Sequence, residues 1–146
     1  MKLSIASDHA GLDLKNELVA HLKEKNVPVE DLGVTARDSV DYPDYAKKVA
    51  ERVSGTGDFG ILVCGTGIGM SIMANKMRGI RAAVCTSEFE ARMARAHNDA
   101  NVLCLGQRVV GAGVARAVVD AFLGTRFEGG RHATRVQKID EADKQR

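Results

Sequence analysis

Five times along the chain a short β-type run is followed by a stretch with helical spacing: KLSIAS then 11 to 25, VPVEDLG then 43 to 54, GILVC then 69 to 77, IRAAVC then 87 to 96, and NVLCLG then 111 to 123. This alternation leaves few architectures open, because strands separated by helical crossovers pair in parallel and need helices over both faces. ILV, AAV and VLCL are apolar without alternation, as expected of central strands buried on both sides. The segment 11 to 25 carries an apolar stripe of Leu12, Leu14, Leu18, Val19 and Leu22, with Asp13, Lys15, Glu17, Lys23 and Glu24 falling largely on other faces. A glycine-rich break at 124 to 130 precedes a last helix at about 131 to 144. With neither repeat nor linker, residues 1–146 read as one α/β domain, a size that supports a single core.

The remaining bulk properties mostly exclude. No apolar run approaches the roughly 18 residues of a membrane span, and the start, MKLSIASDHAG, is too polar for a secretory leader, so a cytoplasmic protein without a membrane partner is expected. A net charge of +2, with basic residues scattered among acids, offers no stripe for nucleic acid. Cys64, Cys85 and Cys104 make an odd count without a CxxC pair or zinc spacing, so they read as reduced thiols and no metal centre is expected. With no tryptophan and few other aromatics, a sugar ligand would be held by hydrogen bonds and charge rather than by stacking.

In an open parallel sheet, ligands sit beyond the C-terminal ends of the strands. Those ends here read SDHAG, a loop leading to DYPDYA, CGTGIGMS, CTSEFE and LGQRVVG, so polar and reactive side chains collect on one rim. His97 and Asn98 precede the fifth strand instead. They fall toward the opposite end of their own sheet and reach the rim only through an unusual loop or from a partner chain.

The glycines of ILVCGTGIGMS, Gly65, Gly67 and Gly69, are spaced GxGxG rather than as the dinucleotide fingerprint, and Thr66 stands where a P-loop requires lysine. A glycine turn entering a helix presents backbone N–H groups beside the positive helix end, which suits an anion; the same glycines would also serve tight packing alone. Beside them Cys64 is placed for activation, since a helix N-terminus favours thiolate over thiol. Cys85 and Cys104 read as small core residues. His21 reads as solvated, and His132 as a local cap or pair without chemistry. His9, after Asp8 at a strand end, and His97, in an HND stretch that reads as a turn, are site candidates. Arg131 and Arg135 lie one turn apart and form either a phosphate clamp or a solvated basic face.

Taken together, ASDHAGLDLK, DYPDYA, CGTGIGMSIMANKMRGIRAAVC, HNDANVLCLGQRVVG and GGRHATRV resemble, in order and over nearly the whole chain, ribose-5-phosphate isomerases of type B within the ribose/galactose-6-phosphate isomerase family. The resemblance implies a Rossmann-like three-layer sandwich with a mostly parallel five-stranded sheet and a C-terminal helix. It also implies homodimers or tetramers with active sites shared between subunits. The implied reaction interconverts D-ribose 5-phosphate and D-ribulose 5-phosphate through a cis-enediolate, without metal or organic cofactor, in the non-oxidative pentose phosphate pathway. On this resemblance Cys64 is the base, His97 opens the furanose ring with help from Thr66, and Asp8 and Tyr42 bind sugar oxygens or assist ring opening. Gly65, Thr66, Gly67, Ile68 and Gly69 form the enediolate cradle, Asn98 contacts substrate, and His9, Arg108, Arg131 and Arg135 hold the phosphate. Some relatives carry a glutamate base further along the glycine loop; GMSIM has no acid there, which favours the thiol subtype. Allose 6-phosphate or galactose 6-phosphate is an alternative substrate, and a non-catalytic sugar-phosphate binding module or a nucleotide-binding regulator are the readings of other classes.

Overall fold

The computed structural model describes all residues from Met1 to Arg146. Five strands, β1 (Leu3–Ser7), β2 (Glu30–Asp31), β3 (Phe59–Cys64), β4 (Ala82–Val84) and β5 (Val102–Gly106), pair in the order β2-β1-β3-β5-β4. Every pairing is parallel, including the edges, so the sheet is entirely and not merely mostly parallel. Six helices cross over it: α1 (Leu12–Glu24), α2 (Tyr42–Val53), α3 (Ile68–Asn75), α4 (Glu88–Asn98), α5 (Ala112–Leu123) and α6 (Arg131–Asp143).

Successive strand residues point to opposite faces, and here both faces are apolar. Ile5, Ile61, Leu103 and Leu105 pack with Leu14, Leu18 and Leu22 of α1, Ala91 and Ala94 of α4, and Val118, Val119 and Phe122 of α5. On the other face Ala6, Leu62 and Cys104 meet Ala46, Val49, Ala50 and Val53 of α2 and Met70 and Ala74 of α3. The result is the three-layer sandwich that alternating elements require. Helix α6 lies outside these layers and buries only His132 and Val136. Its C-terminal half is fixed by Asp140 to Arg81 at 2.8 Å and by the Gly79 N–H donating to Asp143 at 2.7 Å.

Local details depart from sequence expectation where side chains find distant partners. The run VPVEDLG shortens to Glu30–Asp31, because Pro28 has no N–H to give a ladder and the segment occupies an edge. Beyond it the chain still follows β1 through Leu32 N–H to Ile5 and Ser7 N–H to Gly33. The first helix begins with a separate 3-10 turn at His9–Gly11, followed by α1 from Leu12. Lys15, expected on an outer face, is 1% exposed: its ammonium donates to Asp31 at 2.8 and 2.9 Å and to the Val34 carbonyl at 2.6 Å. His21 is also not solvated, since its Nε2 lies 2.8 Å from Asp120 on α5.

The chain leaves β1 toward β2 on one side and returns to β3 on the other. The crevice between β1 and β3 is therefore the topological switch point, where an open α/β sheet offers a ligand the most room.

Candidate active site

The residue at that point is Cys64, last in β3, 6% exposed and paired in register with Gly106 of β5. The chain turns sharply after it. Gly67 adopts φ +82°, and a Cβ there would lie 3.0 to 3.2 Å from the backbone of Leu105, so glycine is required both for conformation and for space. This turn aims the Gly67 N–H at Cys64 Sγ, 3.1 Å away, and starts α3 directly behind it. The Ile68 N–H is satisfied by Thr66 Oγ1 at 3.2 Å, while Gly69 and Met70, in the first turn, have no carbonyl behind them in the helix. Thiol and helix N-terminus thus face one small space, and the arrangement favours negative charge on a ligand oxygen placed there.

Neighbouring loops close on this turn. The Asp8 N–H donates to the Val63 carbonyl at 3.2 Å, and Asp8 Oδ1 caps the 3-10 turn through Gly11 N–H at 3.0 Å, which brings a carboxylate next to Cys64. Tyr42, at the start of α2, lays its ring on Gly69, where an added Cβ would approach the ring to 2.6 Å. The Arg108 guanidinium lies over Gly65, and Arg108 N–H donates to the Gly65 carbonyl at 3.0 Å. His9 joins through the loop before α2: the Val40 N–H donates to His9 Nδ1 at 3.1 Å. An amide can only donate, so Nδ1 accepts and the ring proton sits on Nε2, free to donate to an anion. Asp8, His9, Tyr42, Cys64, Gly65, Thr66, Gly67, Ile68, Gly69 and Arg108 therefore occupy one rim.

The other candidates form a second group. His97 and Asn98 lie not in a turn but in the last turn of α4, which Asp99 ends in a left-handed conformation at φ +46°. That turn precedes β5, whereas Cys64 pairs with the last residue of β5. The length of a strand, about 15 Å, separates the two ends of the sheet. Beside His97 the segment after α5 returns, with the Glu128 N–H donating to the Ala96 carbonyl at 3.0 Å, and α6 begins at Arg131. His132 is not a bystander: its ring stacks on that of His97 with centroids 4.1 Å apart and planes 11° from parallel. Burial, then the nearby His97 and Arg131, hold the His132 imidazole below its usual range. Arg131 and Arg135 are exposed on the same end of α6. A groove lined by Asn75, Arg81, Asn98, Ile139 and Asp143 opens at this end of the sheet, away from Cys64.

Cys85 and Cys104 are core residues. Burial raises the Cys85 thiol to about 12, with Glu90 adding to the shift, and full burial raises Cys104 further. Sequence reasoning missed Lys15, which pins the 31–34 segment leading toward the loop over His9; a lysine at helical spacing gives no local sign of the carboxylate it will meet. No helix is long and apolar enough to cross a membrane.

Known proteins share this sequence pattern and this fold. The sequence profile of the Ribose/Galactose Isomerase family matches residues 3–139. The chain is 50% identical over 146 residues to ribose-5-phosphate isomerase B of Escherichia coli (strain K12), covering 99% of this chain and 98% of that protein. Among solved structures, ribose-5-phosphate isomerase B of Clostridium thermocellum superposes with a TM-score of 0.96 at 55% identity, over 99% of both chains. That of Mycoplasma genitalium, with bound ribulose-5-phosphate, superposes with a TM-score of 0.95 at 47% identity, over 99% of this chain and 97% of that one. With a thiol set against a glycine-turned helix end at the switch point of a five-stranded parallel sheet, and a profile match over nearly its whole length, the chain belongs to the ribose/galactose isomerase family.

Proposed function

We propose that residues 1–146 act as one domain that interconverts D-ribose 5-phosphate and D-ribulose 5-phosphate, a cytoplasmic step of the non-oxidative pentose phosphate pathway. The observation that carries this reading is the contact of Gly67 N–H with Cys64 Sγ at the head of α3, which sets a base beside an oxyanion cradle. The relative from Mycoplasma genitalium with ribulose-5-phosphate bound supports the choice of a pentose phosphate.

In the aldose-to-ketose direction Cys64 Sγ takes the proton from C2, and the electron pair of that bond moves toward C1, leaving negative charge on the C1 oxygen. The sulfur then returns its proton to C1 while the O2 hydroxyl proton passes to O1, so atoms and charge balance without a metal or organic cofactor. A preorganised donor on such an oxyanion lowers the barrier by about 3 kcal/mol, and a positioned base contributes about 10²–10⁴-fold. Amides of the Gly65–Gly69 turn serve as the donors, with Thr66 and Ile68 among the residues that shape it. Asp8 and Tyr42 hold sugar hydroxyls. His9 Nε2–H and Arg108 meet the phosphate, whose remote binding energy orients C1 and C2.

Ring opening and the remaining phosphate contacts are assigned to His97, Asn98, Arg131 and Arg135 of a second copy. One chain holds these groups a strand length from Cys64, so two chains in a dimer, alone or paired into a tetramer, complete each site. The test is exchange of the C2 proton of ribose 5-phosphate in heavy water, run beside turnover of ribose 5-phosphate, allose 6-phosphate and galactose 6-phosphate. Preferred turnover of the pentose with deuterium incorporation supports the reading. A preferred hexose phosphate moves the substrate assignment, and binding without exchange on any of the three would leave a sugar-phosphate binding module.

A further inference from the structure

Where the end of α4 meets the start of α6, His97, Glu128 and His132 bring three potential ligand atoms within 4.8 Å of one another. Two chain segments are locked together here by the Glu128 N–H to the Ala96 carbonyl at 3.0 Å and by the stacked imidazoles. His132 is 8% exposed, and its Nε2 is buried without a hydrogen-bond partner. Buried polar nitrogens are almost always partnered, so an orphan this close to a carboxylate, with a second imidazole stacked beside it, points to a missing ligand. Glu128 Oε2 stands 3.6 Å away, too far for a hydrogen bond.

That distance suits a shared cation better. With metal–nitrogen and metal–oxygen bonds of about 2.0–2.2 Å, neighbouring ligand atoms of a tetrahedral ion lie about 3.4 Å apart. Glu128 and His132 are already near that separation. The Glu128 side chain is 58% exposed and free to swing, and the half-buried His97 ring has only to turn out of the stack to close the third side. Two imidazoles and one carboxylate select borderline transition metals over magnesium or calcium, which take oxygen ligands.

We propose that His97, Glu128 and His132 form a binding site for a divalent transition metal of the zinc class, with a fourth position open to solvent or an anion. The site uses none of the thiol chemistry at Cys64, but it shares His97 with the ring-opening role proposed above, so metal occupancy and that role exclude each other. By engaging His97 it withholds that ring from any other partner.

The full-length protein, stripped with chelator, is titrated with Co²⁺ followed by visible absorption, and with Zn²⁺ by calorimetry. The expected result is one ion per chain with the intense bands of four-coordinate Co²⁺, displaced by Zn²⁺. Glu128→Gln weakens binding at least tenfold and His132→Asn at least a hundredfold, with circular dichroism unchanged, while Cys64→Ser binds as the parent does. Should His132→Asn fail to fold, His97→Asn, a change at a half-buried ring, takes its place with the same expectation. Absence of stoichiometric binding, affinity equal to the parent's in the Glu128 and histidine variants, or loss of binding in Cys64→Ser alone would each overturn the site.

Discussion

Replacing Gly67 by alanine tests the geometry on which the candidate site depends. At φ +82° an L side chain costs about 1–2 kcal/mol. The new Cβ also lies 3.0 to 3.2 Å from the carbon, nitrogen and oxygen of Leu105, in a central strand that has no room to recede. Overpacking of this kind adds about 1–3 kcal/mol. The sum, about 2–5 kcal/mol, is a large part of the stability of an ordinary domain. At about 2–4 °C per kcal/mol it lowers Tm by roughly 10 °C.

Gly65, two residues earlier, is the internal control. Its added Cβ would meet only the far end of the flexible Arg108 side chain, at 3.4 Å, and its φ lies outside the left-handed region, so Gly65→Ala is expected to cost under about 1 kcal/mol. Both variants are unfolded in urea at one protein concentration, because assembly alters apparent stability, and a shift in midpoint at constant slope gives the difference. Gly67→Ala also displaces the N–H that faces Cys64 Sγ. At a temperature where it remains folded, its kcat should fall about a hundredfold, the low end of what a positioned base contributes. If the two alanine variants unfold within about 0.5 kcal/mol of each other, the close crossing of the glycine turn over Leu105 does not constrain this loop and the reasoning fails.

Cys64→Ala should nearly abolish isomerisation while leaving sugar-phosphate affinity largely intact, as measured by calorimetry beside turnover; retention of most of the turnover would remove the sulfur as base. Mixing Cys64→Ala with His97→Ala chains under subunit exchange should restore up to about a quarter of parental activity, since half of the pairs are mixed and each holds one intact site; no recovery would place both groups in one subunit. Because Cys85 is raised to about 12 and Cys104 is raised as well, the contribution of these thiols is fully present below the unfolded value near 9 and is lost as pH climbs through the folded values. Urea midpoints should fall steadily above pH 9, and a flat profile to pH 11 would contradict that burial. The Gly79 N–H, helped by Arg146, holds the Asp143 carboxyl below its usual range, so its contribution is present above the unfolded value near 4 and is lost as pH falls through the folded one. Asp143→Asn should therefore be less stable than the parent at pH 7, with the gap narrowing as pH falls below about 4; a gap that stays constant with falling pH would deny the carboxylate its role.

The order of elements, the apolar central strands and the glycine turn after Cys64 were determined by the sequence alone, because each is written in neighbouring residues: ILV, AAV and VLCL lack alternation, and the Leu12 to Leu22 stripe has helical period. The reading of Cys85 and Cys104 as core belongs with these, since both sit in apolar runs, Cys104 within β5 and Cys85 directly after β4. What only the tertiary structure decided are the pairings between residues far apart in the chain. Lys15 is buried because Asp31 and the Val34 carbonyl meet it, His21 is sequestered by Asp120, and His132 lies on His97 because α6 folds back over the end of α4. The same limit divided the candidate site residues into two groups. Periodicity fixes which face a side chain takes, but packing alone decides what lies against that face, and a sheet that keeps its strands parallel holds Cys64 and His97 at opposite ends of one chain.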